Sequence, residues 1–231
     1  MQMNPKKIFK KIRAQRRIFL SLHESMQVLQ YYKIPFVRAE LAKNAEEAVG
    51  FARKIGYPVV LKISSPNIIH KTEVGGYILN LNSEEEVRTA FNKIIGSVKK
   101  NAPKAKIQGM LVEKMIERGQ DVIIGGKKDP QFGQTIMFGL GGALVEVLED
   151  VSFRVVPLEK KDAEKMIQET KRYKILKGYR GKTYDIKALI DILLKTSRLL
   201  EKNQEIKELD INPIIVLPKG AFAVDARIAI G

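Results

Sequence analysis

The sequence predicts an α+β protein of two lobes with a cleft between them, and three observations carry that reading. The first half alternates helical and strand periodicities in the order α, α, β, β, α, β. The second half is rich in short β-branched runs joined by turn residues, with two helices set among them. Between the halves, Glu117-Arg118-Gly119 reads as a hinge. The 231 residues, 45% of them hydrophobic, suffice for a sizeable core. The lobes are expected at residues 21–116 and 117–231, behind a basic extension over 1–20.

The elements follow in chain order. HESMQVLQYY, from His23 to Tyr32, has helical spacing and is stopped by Lys33-Ile34-Pro35. In NAEEAVGFARKIGYP, Asn44 is placed to cap a helix that sets Ala48, Phe51, Ala52 and Ile55 on one face, and Gly56 and Pro58 end it. PVVLKIS reads as a short buried strand interrupted by Lys62, an amine that needs a partner there. YILNLN alternates as a strand. SEEEVRTAFNKIIGSVKK reads as a helix capped by Ser83, with Glu86 completing a capping box. GMLVEKMI is a further apolar strand. Beyond the hinge, Lys128-Asp129-Pro130 and Gly133 turn two strands back on each other, and FRVVPL is a third. Helices are predicted in AEKMIQETKRY and KALIDILLKTSRLLEKN, separated by GYRGKTYD. The last residues form two strands around Pro218-Lys219-Gly220.

Composition excludes several chemistries. There is no cysteine, so thiol nucleophiles, disulfides and thiolate zinc sites are absent, and a metal must be held by oxygen or imidazole. No apolar run is long enough for a membrane span, and the protein is expected to be cytoplasmic. The net charge is +15. Lys6, Lys7, Lys10, Lys11, Arg13, Arg16 and Arg17 all precede the first acid, Glu24, which reads as a solvated or frayed basic helix or as a docking arm. Only Phe9 interleaves with these cations, a poor platform for nucleic acid.

Four groups of residues could carry chemistry. In the last hairpin Asp210, Asn212 and Asp225 offer oxygen ligands, with residues 210 and 212 on one face of a strand, a set that suits Mg²⁺. The alternative is that Asp210 and Asn212 cap a tight Asn-Pro turn. Glu113 at a strand end and Asp121 beyond the hinge could flank a nucleotide base and ribose. Gly139, Gly141 and Gly142 could offer backbone N–H groups to an anion, or simply turn the chain. In SSPNIIHKTEVGG, His70 stands beside Lys71 and ahead of Gly75-Gly76, where an imidazole could act as a nucleophile toward phosphorus. His23 has no such context.

Taken together, the VVLK strand, VEKM, ELDINPIIV and AVDARI resemble the ATP-grasp superfamily. SSPNIIHKTEVGG, KKDPQFGQTIMFGLGGALVEVLEDVSFRVVPL, GYRG and ELDINPI resemble more closely the nucleotide-binding β subunit of ADP-forming acetyl-CoA and other acyl-CoA synthetases, relatives of the succinyl-CoA synthetase β chain. The resemblance runs from about residue 20 to the end. It implies an ATP-grasp fold, ATP or ADP with Mg²⁺ as ligands, and the reaction acyl-CoA + ADP + phosphate = acid + CoA + ATP. It further implies Lys62 on phosphate, Glu113 and Asp121 on the nucleotide, Met115 and Ile116 against the adenine, Asn212 and Asp225 on Mg²⁺, and His70 as a phosphate relay. Asp121 stands where a longer glutamate is usual. A CoA-binding α subunit, in an α2β2 heterotetramer, is the implied partner, with neither nucleic acid nor membrane. The alternatives are a stand-alone ATP-grasp carboxylate–amine ligase and a non-enzymatic basic module binding nucleotides or nucleic acid.

Overall fold

A computed structural model describes residues 3–68, 70–141, 150–178 and 183–231. Gly142 and Tyr179-Arg180-Gly181, singled out above, lie outside the described residues. The chain divides into two compact units. One comprises Phe19–Glu24 and Val37–Ile116, the other Met1–Ile18, Ser25–Phe36 and Glu117–Gly231.

The first unit carries a four-stranded antiparallel sheet in the order β1-β4-β2-β3, made of β1 (Ala39–Ala42), β2 (Val59–Ser64), β3 (Tyr77–Leu81) and β4 (Gly109–Lys114). Its core is built from one face of that sheet with α3 (Ala45–Ile55) and α4 (Glu84–Asn101): Val59, Leu61, Ile63, Met110 and Val112 meet Ala48, Ala52, Val87, Ile94 and Val98. Both helices start as the sequence predicts. Asn44 Oδ1 accepts from the Glu47 N–H at 2.8 Å, and Ser83 Oγ from that of Glu86 at 3.2 Å, caps that contribute about 1 kcal/mol each. The Glu86 carboxylate reaches one residue beyond the expected capping box and accepts from the Asn82 N–H at 2.7 Å; Glu47 does the same with Lys43.

The second unit carries a sheet in the order β10-β8-β5-β6-β7, with β9 also paired to β8. Its strands are β5 (Gln120–Asp129), β6 (Gly133–Leu140), β7 (Val151–Val155), β8 (Ile206–Val216), β9 (Ala221–Ala223) and β10 (Arg227–Ile230). Asp129 makes the β5–β6 turn by accepting from the N–H groups of Gln131 and Phe132. Helices α5 (Lys160–Gln168) and α7 (Ile186–Lys202) cover one face of this sheet: Ser152 Oγ donates to the Met166 carbonyl, and Leu200 lies over Gly126 closely enough to leave no room for a Cβ. That face carries Val122, Ile124, Ile136, Phe138, Leu209 and Ile211, all buried.

The basic N-terminal run is the solvated basic helix, one of its two readings, and one later helix departs from expectation. Pro5–Ala14 forms α1, capped by Asn4, and buries Ile8, Phe9 and Ile12 completely or nearly so while its cations stay outside. With residues 25–36, most of α2 (Leu22–Tyr31), it belongs to the unit that holds β8 to β10. The Arg13 guanidinium pairs with Glu205, the Ile230 N–H donates to the Ile18 carbonyl, and the Asn203 amide donates to the Tyr32 hydroxyl. The helix predicted over residues 163–173 breaks after Gln168 and resumes as α6 (Tyr173–Gly178). The N–H groups of Lys171 and Arg172, which a continuous helix would direct to carbonyls four residues back, donate instead to the Asp150 carboxylate at 2.6 and 3.2 Å.

Candidate functional site

The amine in the buried strand has its partner. In the antiparallel register Val60 of β2 lies opposite Glu113 of β4, which places Lys62 diagonal to that glutamate, within reach of a long side chain. Lys62 Nζ is 2.8 Å from Glu113 Oε2, and both residues are buried, at 8% and 1% exposure. They share the sheet face that α3 and α4 do not cover, since Leu61 and Val112 point into the helix-covered core. A buried pair of this kind fixes where each head group stands, because neither charge can leave the other without a large desolvation cost. Met115 and Ile116 continue from β4, both half-buried. The Met115 N–H donates to the Pro58 carbonyl, and Lys114 Nζ donates to the carbonyls of Gly56 and Tyr57 at 2.9 and 2.8 Å, tying this exit to the turn after α3. Lys114 was not singled out from sequence; a lysine ending a strand looks like any solvated one until its carbonyl partners are known.

His70 is exposed, in a loop held on both sides. Ile68 is buried ahead of it, and Asn67 Oδ1 accepts from the Lys106 N–H. After it, the Gly76 N–H donates to the Lys71 carbonyl at 2.7 Å, while the Gly76 carbonyl accepts from the Ile63 N–H. Gly75 has φ 62° and lies against Ser97 closely enough that a Cβ would collide, so both its conformation and its contact require glycine. The imidazole thus stands on an anchored loop that leaves it accessible.

In the second unit the decisive feature is an irregularity in β8. Val122 of β5 pairs with Ile214 and Ile124 with Ile211, so one extra residue enters β8 at Asn212-Pro213. This is a β-bulge, which lets Ile211 and Ile214 both enter the core and sets the intervening side chains on the other face. Asn212 is exposed, and its N–H donates to the Asp225 carbonyl at 3.2 Å. Asp210 lies opposite Arg227 and Ile214 opposite Ala223, so Asn212 and Asp225 fall opposite each other in the same register and share a face. The Asp225 carboxylate is oriented by its own neighbour, Oδ1 accepting from the Ala226 N–H at 2.8 Å. The turn-capping alternative for Asp210 and Asn212 is excluded, since β8 runs on to Val216.

Asp121 lies on the same uncovered face, opposite Ile215, and partial burial raises its carboxyl pKa above the ordinary aspartate value. Of the glycines considered above, Gly142 lies outside the described residues and the other two are taken up by the sheet. Gly139 is inside the ladder between Ile123 and Val151, and the Gly141 N–H donates to the Asp121 carbonyl at 2.8 Å. Among the described residues no cluster of three or more His, Asp or Glu side chains could hold a metal alone. The Asn212–Asp225 pair suits Mg²⁺, which commonly takes one or two protein oxygens and completes its shell from phosphate and water. Among the described residues no helix is long and apolar enough to cross a membrane.

The buried pair yields a prediction. Lys62→Met leaves the Glu113 carboxylate buried without its ammonium and should cost about 3–5 kcal/mol. Lys62→Met combined with Glu113→Leu should recover most of that loss. Urea denaturation of the three proteins checks it; a single variant as stable as the parent would mean that the pair is not the constraint described.

Comparison with known proteins gives this geometry a lineage. The model of the ATP-grasp domain matches residues 11–230. The chain is 47% identical over 223 residues to the ADP-forming acetate–CoA ligase I subunit beta of Pyrococcus furiosus, covering 96% of each. It is 45% identical over 228 residues to the ADP-forming 4-hydroxybutyrate–CoA ligase of Nitrosopumilus maritimus, covering 97% of this chain and 33% of that longer one. Among solved structures, dinucleotide forming acetyl-coenzyme A synthetase 1 of Ca. Korarchaeum cryptofilum, in complex with coenzyme A and Ca-AMPCP, superposes with a TM-score of 0.95 at 49% identity, over 99% of this chain and 100% of that one. A second structure of that enzyme, with coenzyme A and Mg-AMPPCP, has its phosphohistidine segment pointing towards the nucleotide binding site; its TM-score is 0.88 at 45% identity, over 99% of this chain and 100% of that one. The chain belongs to the ATP-grasp family, among the β subunits of ADP-forming acetate–CoA ligases.

Proposed function

We propose that the chain is the nucleotide-binding subunit of a reversible, ADP-forming acyl-CoA synthetase that converts acyl-CoA, ADP and phosphate into acid, CoA and ATP. The observation that carries the reading is the Asn212–Asp225 pair set by the β8 bulge on the helix-free sheet face, with Asp121 on that same face. Lys62 contacts phosphate and Glu113 and Asp121 take the nucleotide, with Met115 and Ile116 against the adenine. Mg²⁺, held by Asn212 and Asp225, supplies charge neutralisation on the phosphates when bound. Phosphoryl transfer asks of a protein chiefly positioning and charge stabilisation, which these residues supply.

His70 is the group that carries phosphate. An imidazole nitrogen of His70 attacks the phosphorus of the partner's phosphohistidine, whose N–P bond breaks. A terminal oxygen of ADP then attacks the phosphorus on His70, that second N–P bond breaks, and ATP leaves with His70 restored. Lys71 offsets charge on the travelling group. The accessible position of His70 on a loop anchored at Ile68 and Gly76 suits both half-reactions. The partner is a CoA-binding α subunit in an α2β2 assembly, and acyl selectivity resides on it; relatives of 44–46% identity are longer chains of which this one spans 30%, consistent with further domains joined to the same unit. The setting is the cytoplasm, where acyl-CoA and ADP occur together.

Two outcomes are expected. Isothermal titration of the chain with ADP should show Mg²⁺-dependent binding, and Asn212→Ala with Asp225→Ala should abolish the metal dependence; if that dependence persists, the metal site lies elsewhere. In the complex reconstituted with its α subunit, His70→Ala should leave ADP affinity within about twofold and lower net ATP formation by at least ~10³, the scale for losing an essential nucleophile. ATP formation near the parent rate would exclude the relay, and turnover by the chain alone would favour a stand-alone ligase.

A further inference from the structure

Asp150 is almost fully buried, at 2% exposure, and accepts three hydrogen bonds from one stretch of chain: the N–H groups of Lys171 and Arg172, and Arg172 Nε at 3.1 Å. The Arg172 guanidinium does not stop there. Its Nη2 donates to the Leu140 carbonyl at 2.6 Å, and its Nη1 lies 3.1 Å from where a Cβ on Gly141 would stand. Gly141 has φ 96°, a conformation that favours glycine, so the close approach and the backbone both select that residue. The Leu140 N–H in turn donates to the Asp150 carbonyl at 3.4 Å. The forked guanidinium therefore joins the end of β6 to the start of β7 and holds the Gly141 peptide in one orientation. The N–H of Gly141 donates to the backbone carbonyl of Asp121 at 2.8 Å.

We propose that Arg172 and Asp150 are a positioning pair for the nucleotide site: through Gly141 they fix the backbone of Asp121, and so the aim of its carboxylate at the nucleotide. The inference rests on the reading of Asp121 given above. Neither Arg172 nor Asp150 touches the ligand. Their effect is on affinity for ADP, exerted through one hydrogen bond between two backbones. A lysine cannot reproduce it, since a single ammonium lacks the planar fork that meets the Leu140 carbonyl and the Asp150 carboxylate together. Asp150 keeps two backbone donors when Arg172 is replaced, so the substitution does not strand a bare buried charge.

A double-mutant cycle on ADP affinity, measured by titration of the full chain with Mg²⁺ well below the melting temperature of each protein, tests this. Arg172→Met should weaken ADP binding roughly tenfold, within the range for coupled neighbours. Asp121→Ala should also weaken it, and adding Arg172→Met to Asp121→Ala should weaken it no further. If Arg172→Met lowers the melting temperature but leaves ADP affinity unchanged, the pair is purely architectural and the proposal is overturned. Additive losses would overturn it as well, because the arginine would then act by a route other than Asp121. If Asp121→Ala alone has no effect, the assignment of Asp121 fails and the proposal falls with it, an outcome visible in that single variant before Arg172 is considered. Should Arg172→Met fail to fold, Arg172→Lys takes its place, with the same expected loss and the same overturning results.

Discussion

One extra residue in β8 organises the second unit. Without the bulge at Asn212-Pro213, strict alternation would send either Ile211 or Ile214 out of the core, and each is completely buried. With it, both isoleucines stay buried on the core face, and the residues between them fall on the opposite face, where Asn212 meets Asp225. The packing requirement and the placement of two oxygen donors are thus one constraint. Pro213 fits this place because a bulge leaves a backbone position outside the ladder, so the missing N–H disrupts no pairing. Its carbonyl still accepts from the Val224 N–H, which keeps the stretch before Asp225 in register.

The first unit reaches a comparable result by another route. Its sheet also has one face sealed by helices, and the other face carries the buried ion pair of Lys62 with Glu113. Here the constraint is electrostatic: an ammonium and a carboxylate, both nearly removed from solvent, hold each other at a fixed point on rigid strands. A phosphate approaching Lys62 would meet a cation already oriented, and ordering its side chain would cost little further entropy. His70 answers the opposite demand. The relay proposed for it requires access from outside, and His70 stands on a loop whose ends, rather than whose tip, are fixed.

Much of this was legible in the sequence, where the signal is local. Asn44 and Ser83 announce their helices within four residues, and Lys62 inside PVVLKIS announces that a partner must exist without naming it. What could not be read depends on register or on distant pairing. The β8 bulge exists only relative to β5, and Asp150 and Arg172 meet although nothing periodic links them. That same contact explains why residues 163–173, helical by pattern, do not form one helix: the Asp150 carboxylate competes successfully for their N–H groups. Helix α1 reads as a basic helix, and its cations are solvated; what the dominant cations hide is that Ile8, Phe9 and Ile12 are spaced for a packed face.

The most direct test of the account is spectroscopic. With Mn²⁺ in place of Mg²⁺ and ADP bound, electron–nuclear double resonance on protein carrying carboxyl-¹³C aspartate should show a carbon strongly coupled to the metal, and Asp225→Ala should remove that coupling while Asp121→Ala leaves it. A coupling that survives Asp225→Ala would contradict the claim that the bulge in β8 exists in register with a metal-binding carboxylate.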